Sequence, residues 1–180
     1  MRPPPPAPKV EDLEPAALAY LARFSSSQAS LRRVLLRRLS RAEAQGVAVD
    51  RAVLVPAITA LIERLAARGY LNDATYAQGL ATSLRGRGRS KRAVQHALST
   101  KGVEAEVASE ALAQVDADTE GDAELTAARR LAQRRRLGPF RRDASERAER
   151  REKDLAVLGR AGFPYAIARK VIDAVDDSSD

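Results

Sequence analysis

The chain has 180 residues, 44 % of them hydrophobic, with 31 Lys and Arg against 24 Asp and Glu, a formal net charge of +7 and no cysteine. That length suits one or two domains; the missing cysteine excludes disulfides, thiol nucleophiles and thiolate metal sites. No apolar run approaches the ~18 residues of a membrane span, and no signal-like segment is present, so a cytoplasmic chain without membrane contact is expected.

With three Phe, four Tyr and no Trp, the core must come from Leu, Val, Ile and Ala on narrow helical stripes. An all-α protein is expected. Nearly all the basic residues are Arg, whose guanidinium forks match phosphate and carboxylate oxygens in pairs, so the surface suits a polyanion or an acidic protein groove. GC-rich coding would also enrich Arg and Ala.

Residues 1–12 open with a proline-rich tail that has no means of packing and should be disordered or extended. Leu13, Ala17, Leu21 and Phe24 then predict a short helix over 13–23, interrupted by Ser25, Ser26 and Ser27. Ser27 is placed to cap a second helix, with Leu31, Leu35 and Leu39 on one face. Arg33, Arg37 and Arg41 repeat at the same four-residue step on the opposite face, beside Arg32, and form a basic ridge.

After a polar connection over 40–50, Val53, Ile58, Leu61, Ile62 and Leu65 predict a third helix stopping at Gly69, with Pro56 in its first turn or bending it. Asn72 or Asp73 should cap a fourth, on which Tyr76, Leu80 and Leu84 are stacked. Residues 74–103 contain no acid. Inside this window lie Arg85, Arg87, Arg89, Lys91 and Arg92, with Gly86 and Gly88 breaking the helical pattern. Ser90 then caps a helix that turns Val94, Ala97 and Leu98 inward and stops at Gly102, where positive φ costs little.

A sixth helix over 104–115 turns Val107, Ala111, Leu112 and Val115 inward. Residues 103–126 hold eight Asp and Glu and no base, whereas 127–142 hold seven Arg, among them Arg129, Arg130, Arg134, Arg135 and Arg136, and no acid. The two blocks either neutralise one another within the fold or segregate to opposite faces. A last helix follows Gly162, with Pro164 in its first turn and Ile167, Val171, Ile172 and Val175 inward, before an acidic tail over 177–180.

Internal repetition converts these helices into an architecture. At an offset of 60, Leu98 falls on Leu158, Gly102 on Gly162, Ala108 on Ala168, Val115 on Val175 and Asp116 on Asp176. At an offset of 63, Ser27, Leu31 and Leu35 fall on Ser90, Val94 and Leu98. Three tandem three-helix repeats over 13–69, 70–115 and 116–176 are expected, stacked into an elongated, curved solenoid with exposed ridges.

The run Gly69-Tyr70-Leu71-Asn72-Asp73 with Tyr76, followed by Gly88-Arg89-Ser90, Val94, Leu98 and Lys101-Gly102-Val103, resembles the central signature of the RecX family, regulators of the RecA recombinase. Ser27 to Leu35 is similar to the first repeat of the same family. The resemblance implies tandem three-helix repeats, no catalysis, no cofactor, and a protein that binds the RecA filament and modulates its ATPase, strand-exchange and coprotease activities, mostly by inhibition. Lys91, His96 and Ala97 depart from the family pattern.

The residues themselves show no enzyme. The single histidine, His96, lies in mid-helix, and Gly86 with Gly88 is too short for a dinucleotide or phosphate loop. Asp116, Asp118, Glu120, Gly121 and Glu124 imitate the start of a calcium loop, but Ala127 occupies its closing position, so an acidic linker capping a helix is the better reading.

Two non-catalytic classes are left: a modulator of a protein filament, and a helical DNA-binding protein gripping phosphates. The scarcity of aromatics speaks against base stacking. The expected partner is the RecA filament, with DNA backbone contacts the alternative and the chain a monomer. Partner contact is assigned to Arg32, Arg33, Arg37, Arg85, Arg87, Arg89, Lys91, Arg92, Arg129, Arg130, Arg134, Arg135 and Arg136. Tyr70, Leu71, Tyr76 and Leu98 are assigned to packing between repeats.

Overall fold

A computed structural model describes residues 7–174. The expectations for residues 1–6, Val175, Asp176 and the acidic tail lie outside the described residues. Among the described residues there are nine α-helices and no strand: α1 Leu13–Leu21, α2 Gln28–Ala44, α3 Arg51–Ala67, α4 Asp73–Gly86, α5 Lys91–Thr100, α6 Ala105–Ala117, α7 Ala123–Arg135, α8 Arg147–Arg160 and α9 Tyr165–Ile172. The chain divides into two compact units, the first reaching Tyr76 and including Lys101–Val103, the second formed by Ala77–Thr100 and the residues from Glu104 onward.

In unit 1, a 3-10 turn at Val10–Asp12 leads straight into α1, so the chain is ordered ahead of the expected start. Ser27 Oγ accepts the Ser30 N–H at 3.1 Å and starts α2 as its spacing predicts. Leu31, Leu35 and Leu39 are buried against Leu54, Ile58, Leu61 and Leu65 of α3 and against Leu13 and Ala17 of α1. Burying such side chains stabilises by about 1.5–3 kcal/mol each.

Three details differ from expectation, and of the two expectations for Pro56 the first-turn one is excluded. The first helix ends at Leu21, which leaves Phe24 49 % exposed. The second continues to Ala44, through part of the expected connection. Asp50, accepting the Val53 N–H at 3.2 Å, starts α3 so that Leu54 turns inward and Val53 outward. Pro56 stands inside α3, beyond its first turn.

In unit 2, α4 buries Ala77, Ala81 and Arg85, one position beyond the stripe of Leu80 and Leu84 that spacing favoured. The helix runs through Gly86; Gly88, at φ +72°, is the residue that turns the chain. A Cβ at Gly88 would lie 2.6 Å from the Leu131 nitrogen and 2.8 Å from the Ala127 oxygen. Only glycine lets the α4–α5 turn rest on the backbone of α7.

Ser90 caps α5, accepting the Ala93 N–H at 3.2 Å. The expected internal correspondence is visible in the helix bounds: α5 ends at Thr100 and α8 at Arg160, while α6 begins at Ala105 and α9 at Tyr165. Equivalent side chains are buried alike, Leu98 and Leu158, Val103 and Phe163, Ala108 and Ala168, Leu112 and Ile172. Pro164 occupies the N-cap of α9, just ahead of its first turn. Helices α7 and α8, which periodicity left undefined, pack with α9 around Ala128, Leu131, Leu155, Leu158 and Val171.

Candidate functional site

The signature residues divide into joints and caps. Gly69 and Gly102 turn the chain at φ +79° and +76°. Asn72 accepts the Thr75 N–H at 2.9 Å, and Asp73 reaches the Gln28 N–H at the start of α2, also at 2.9 Å. Ser27 Oγ donates to the Lys101 carbonyl at 2.6 Å.

Unit 2 repeats this arrangement. Ser90 Oγ donates to the Ala161 carbonyl at 2.7 Å, and Glu124 accepts the Lys91 N–H at 3.0 Å. Each serine therefore caps its own helix and also ties down the residue before a positive-φ glycine, Gly102 or Gly162. An acid from a third helix covers the same helix N-terminus, where the backbone dipoles favour negative charge.

Of the assigned packing residues, Leu71 and Leu98 are buried, as is Val94 of the signature, and Tyr76 is half-buried. Burial, then the neighbouring Tyr20, pushes the Tyr76 phenol above its ordinary pKa. Tyr70 is not a packing residue: it is 58 % exposed, because the Gly69 turn directs Leu71 inward instead.

The arginines assigned to a partner separate into one buried residue and a set of exposed ones. Arg85 is only 4 % exposed, and its Nε and Nη1 donate to Asp116 and Glu124, both at 2.7 Å. Its Nη1 also donates to the Arg89 carbonyl at 3.1 Å. Arg85 is thus a structural ion-pair centre and leaves the partner-contact set. The same geometry absorbs two members of the calcium-like acidic run, and Asp122 takes the N-cap of α7. No group of three metal-ligating side chains occurs among the described residues.

Arg87, Arg89, Lys91, Arg92, Arg129, Arg130, Arg134, Arg135 and Arg136 are exposed in unit 2. Because Gly88 lies on Ala127 and Leu131, Arg87 and Arg89 are brought beside α7, whose Arg130 and Arg134 follow those two contact residues by three positions. Two sequence-distant basic segments, the Arg87–Arg89 turn and α7, are thereby brought into backbone contact. Arg136 closes α7 in the left-handed region at φ 55°. In unit 1, Arg32, Arg33 and Arg37 are exposed on α2. Arg37, Arg38 and Arg41 border an open groove of about 610 Å³ that Pro8, Asp12 and Val34 complete.

Sequence reasoning missed a second buried charge. Asp154 of α8, 2 % exposed, accepts the Gly138 N–H at 2.8 Å and two Arg141 bonds at 2.9 and 2.6 Å. The Asp154 hydrogen bond raises the Arg141 pKa above its usual value and fixes the 3-10 turn at Gly138–Phe140. A sequence signal existed for Arg85, since Ala77, Ala81 and Arg85 recur at four-residue steps. None existed for Asp154, which lies in a helix rich in charge.

The model of the RecX second three-helix domain matches residues 72–112, which carry α4, α5 and the buried face of α6. The regulatory protein RecX of Myxococcus xanthus is 44 % identical over 162 residues, covering 90 % of this chain and 84 % of that protein. RecX of Mycobacterium avium is 34 % identical over 79 % of either chain. RecX of Mycolicibacterium vanbaalenii is 32 % identical over 80 % of this chain and 78 % of its own. Identity at that level across most of both partners places the chain in the RecX family of regulatory proteins.

Proposed function

We propose that this chain regulates the RecA recombinase by binding its filament, without catalysis or cofactor, as a monomer in the cytoplasm. The observation that carries this reading is the meeting in unit 2 of two basic segments, the turn with Arg87 and Arg89 and α7 with Arg130 and Arg134, all four exposed and with no acidic partner seen among the described residues. Lys91, Arg92, Arg129, Arg135 and Arg136 add further charge.

These groups offer charge and fixed geometry, which suit recognition of an acidic protein surface. By binding one filament geometry more tightly than another, the protein shifts the population of active filament, which needs differential affinity and no chemistry. Repeats over 13–69, 70–115 and 116–176 are part of the same proposal, supported by the matching bounds of α5–α6 and α8–α9.

The test measures ATP hydrolysis by RecA on single-stranded DNA with substoichiometric protein. Inhibition is expected, and reversing Arg87 and Arg89 to Glu should relieve it at unchanged helicity. Arg85 must stay intact in that variant. Hydrolysis unaffected by the wild-type protein, alongside tight and salt-sensitive DNA binding, would establish the DNA-binding alternative instead.

A further inference from the structure

Helix α7 ends in a conformation that its last residue does not favour. Arg136 closes it at φ 55°, and every other positive-φ position among the described residues is a glycine. A Cβ is disfavoured in the left-handed region, so an arginine there carries a strain that glycine would not. The result is three successive exposed guanidinium groups, Arg134, Arg135 and Arg136, with exposed Arg142 after the turn. No ion pair to any of the four is seen among the described residues.

The acids of this part of the chain are committed to other groups. Glu146 and Asp154 pair with Arg141 at 3.4 and 2.6 Å, and Glu152 and Asp173 pair with Arg151, both at 2.7 Å. Asp143 accepts the Ser145 N–H at 2.8 Å. Of the acids between residues 127 and 173, Glu149 alone has no partner among the described residues.

The described chain finishes at this same end of unit 2. A Cβ at Gly138 would lie 2.9 Å from the Ile172 Cα, so the turn after α7 and the end of α9 touch backbone to backbone. Arg136 is two residues ahead of that contact and Ala174 two residues beyond it, each within about 7 Å of it along the chain. Residues 175–180 read Val-Asp-Asp-Ser-Ser-Asp, with three acids and no base. Six extended residues reach about 20 Å, which is enough to cover the last turn of α7.

We propose that this acidic segment folds back onto Arg134, Arg135 and Arg136 and shields them until an acidic protein surface displaces it. Asp176, Asp177 and Asp180 each meet a guanidinium fork, whose geometry suits a carboxylate. A single exposed pair of this kind is weak. A segment tethered beside its target, however, acts at an effective concentration in the millimolar range, so a weak contact still competes. The arginine at φ 55° supplies a charge that the less strained glycine could not. The competition rests on the reading of the α7 arginines as a partner surface; the contact within the chain does not.

Because the chain has no cysteine, an introduced pair reports the contact. Combined with Ser178→Cys, Gln133→Cys on the last turn of α7 should cross-link in dilute, mildly oxidising buffer several times faster than Ser109→Cys on α6. All charges are kept in both pairs. Adding Asp176→Asn, Asp177→Asn and Asp180→Asn should slow the Gln133→Cys pair to the rate of the Ser109→Cys control. In the otherwise wild-type chain, the same three changes should tighten binding of polyglutamate, an acidic probe that needs no RecA, by about threefold at low salt. Circular dichroism should be unchanged, and inhibition of RecA should strengthen.

Equal cross-linking of the two cysteine pairs, or wild-type polyglutamate affinity in the triple Asn variant, would overturn the proposal. Failure of wild type and triple variant alike to inhibit RecA, with the cross-linking and polyglutamate results as expected, would overturn only the filament reading.

Discussion

Arg85 follows Ala77 and Ala81 along one line of α4, so its stem enters the interface that their methyl groups fill and its head must find anions there. Asp116 and Glu124 meet it from 31 and 39 residues away. Removing one partner of such a centre strands the others in a poor solvent, so Arg85→Ala should lower stability by about 3 kcal/mol in urea unfolding. Arg87→Glu with Arg89→Glu, on the exposed turn beside it, should change unfolding by no more than about 0.5 kcal/mol per site. A pair of measurements therefore separates the buried arginine from its neighbours. Asp154→Ala should also cost about 3 kcal/mol, because both Arg141 and the Gly138 N–H lose their acceptor.

The helices are held by a small set of devices used twice. Ser27 and Ser90 each cap a helix and reach a carbonyl across to a second turn. Ser90→Ala should lower stability by about 1–2 kcal/mol through both losses, read as a fall in melting temperature. Gly88→Ala should do more harm than Gly69→Ala. Both positions have positive φ, but a methyl at Gly88 meets the backbone of α7, whereas nothing lies within 4 Å at Gly69. At the far end of unit 2, Arg151 donates to Asp173 at 2.7 and 2.8 Å and ties α8 to the residue after α9. That hydrogen bond, above all, holds the Asp173 carboxyl below its ordinary 3.8. A depressed carboxylate pKa stabilises the fold above the ordinary value and loses that contribution as pH falls through the folded one. Arg151→Gln should therefore melt slightly below wild type at neutral pH, a small effect for so exposed a pair. The gap should close as the pH drops below 3.8.

Across the whole molecule, the formal charge of +7 is unevenly spent. Some of the 31 Lys and Arg side chains are neutralised in buried or half-buried pairs, while those of the α2 ridge and the α7 surface are exposed with no ion pair seen among the described residues. Partner binding through those surfaces should weaken steeply between low and physiological salt, and less steeply once Arg87, Arg89, Arg130 and Arg134 are reversed, as titrations at several ionic strengths would show. The sequence by itself determined the helical class, the Ser27 and Ser90 caps, the Gly69 and Gly102 stops, the leucine face of α2 and the 60-residue echo between α5–α6 and α8–α9. Those features depend on a few neighbouring residues and on the 3.6-residue period, which any short window contains. Tertiary structure alone decided that Asp116 and Glu124 are the groups Arg85 meets, that Gly88 rests on α7, and that Tyr20, Phe24 and Tyr76 share one place. In each case the deciding partner is remote in the chain, and a charged or aromatic side chain carries no local mark of which remote group it will meet.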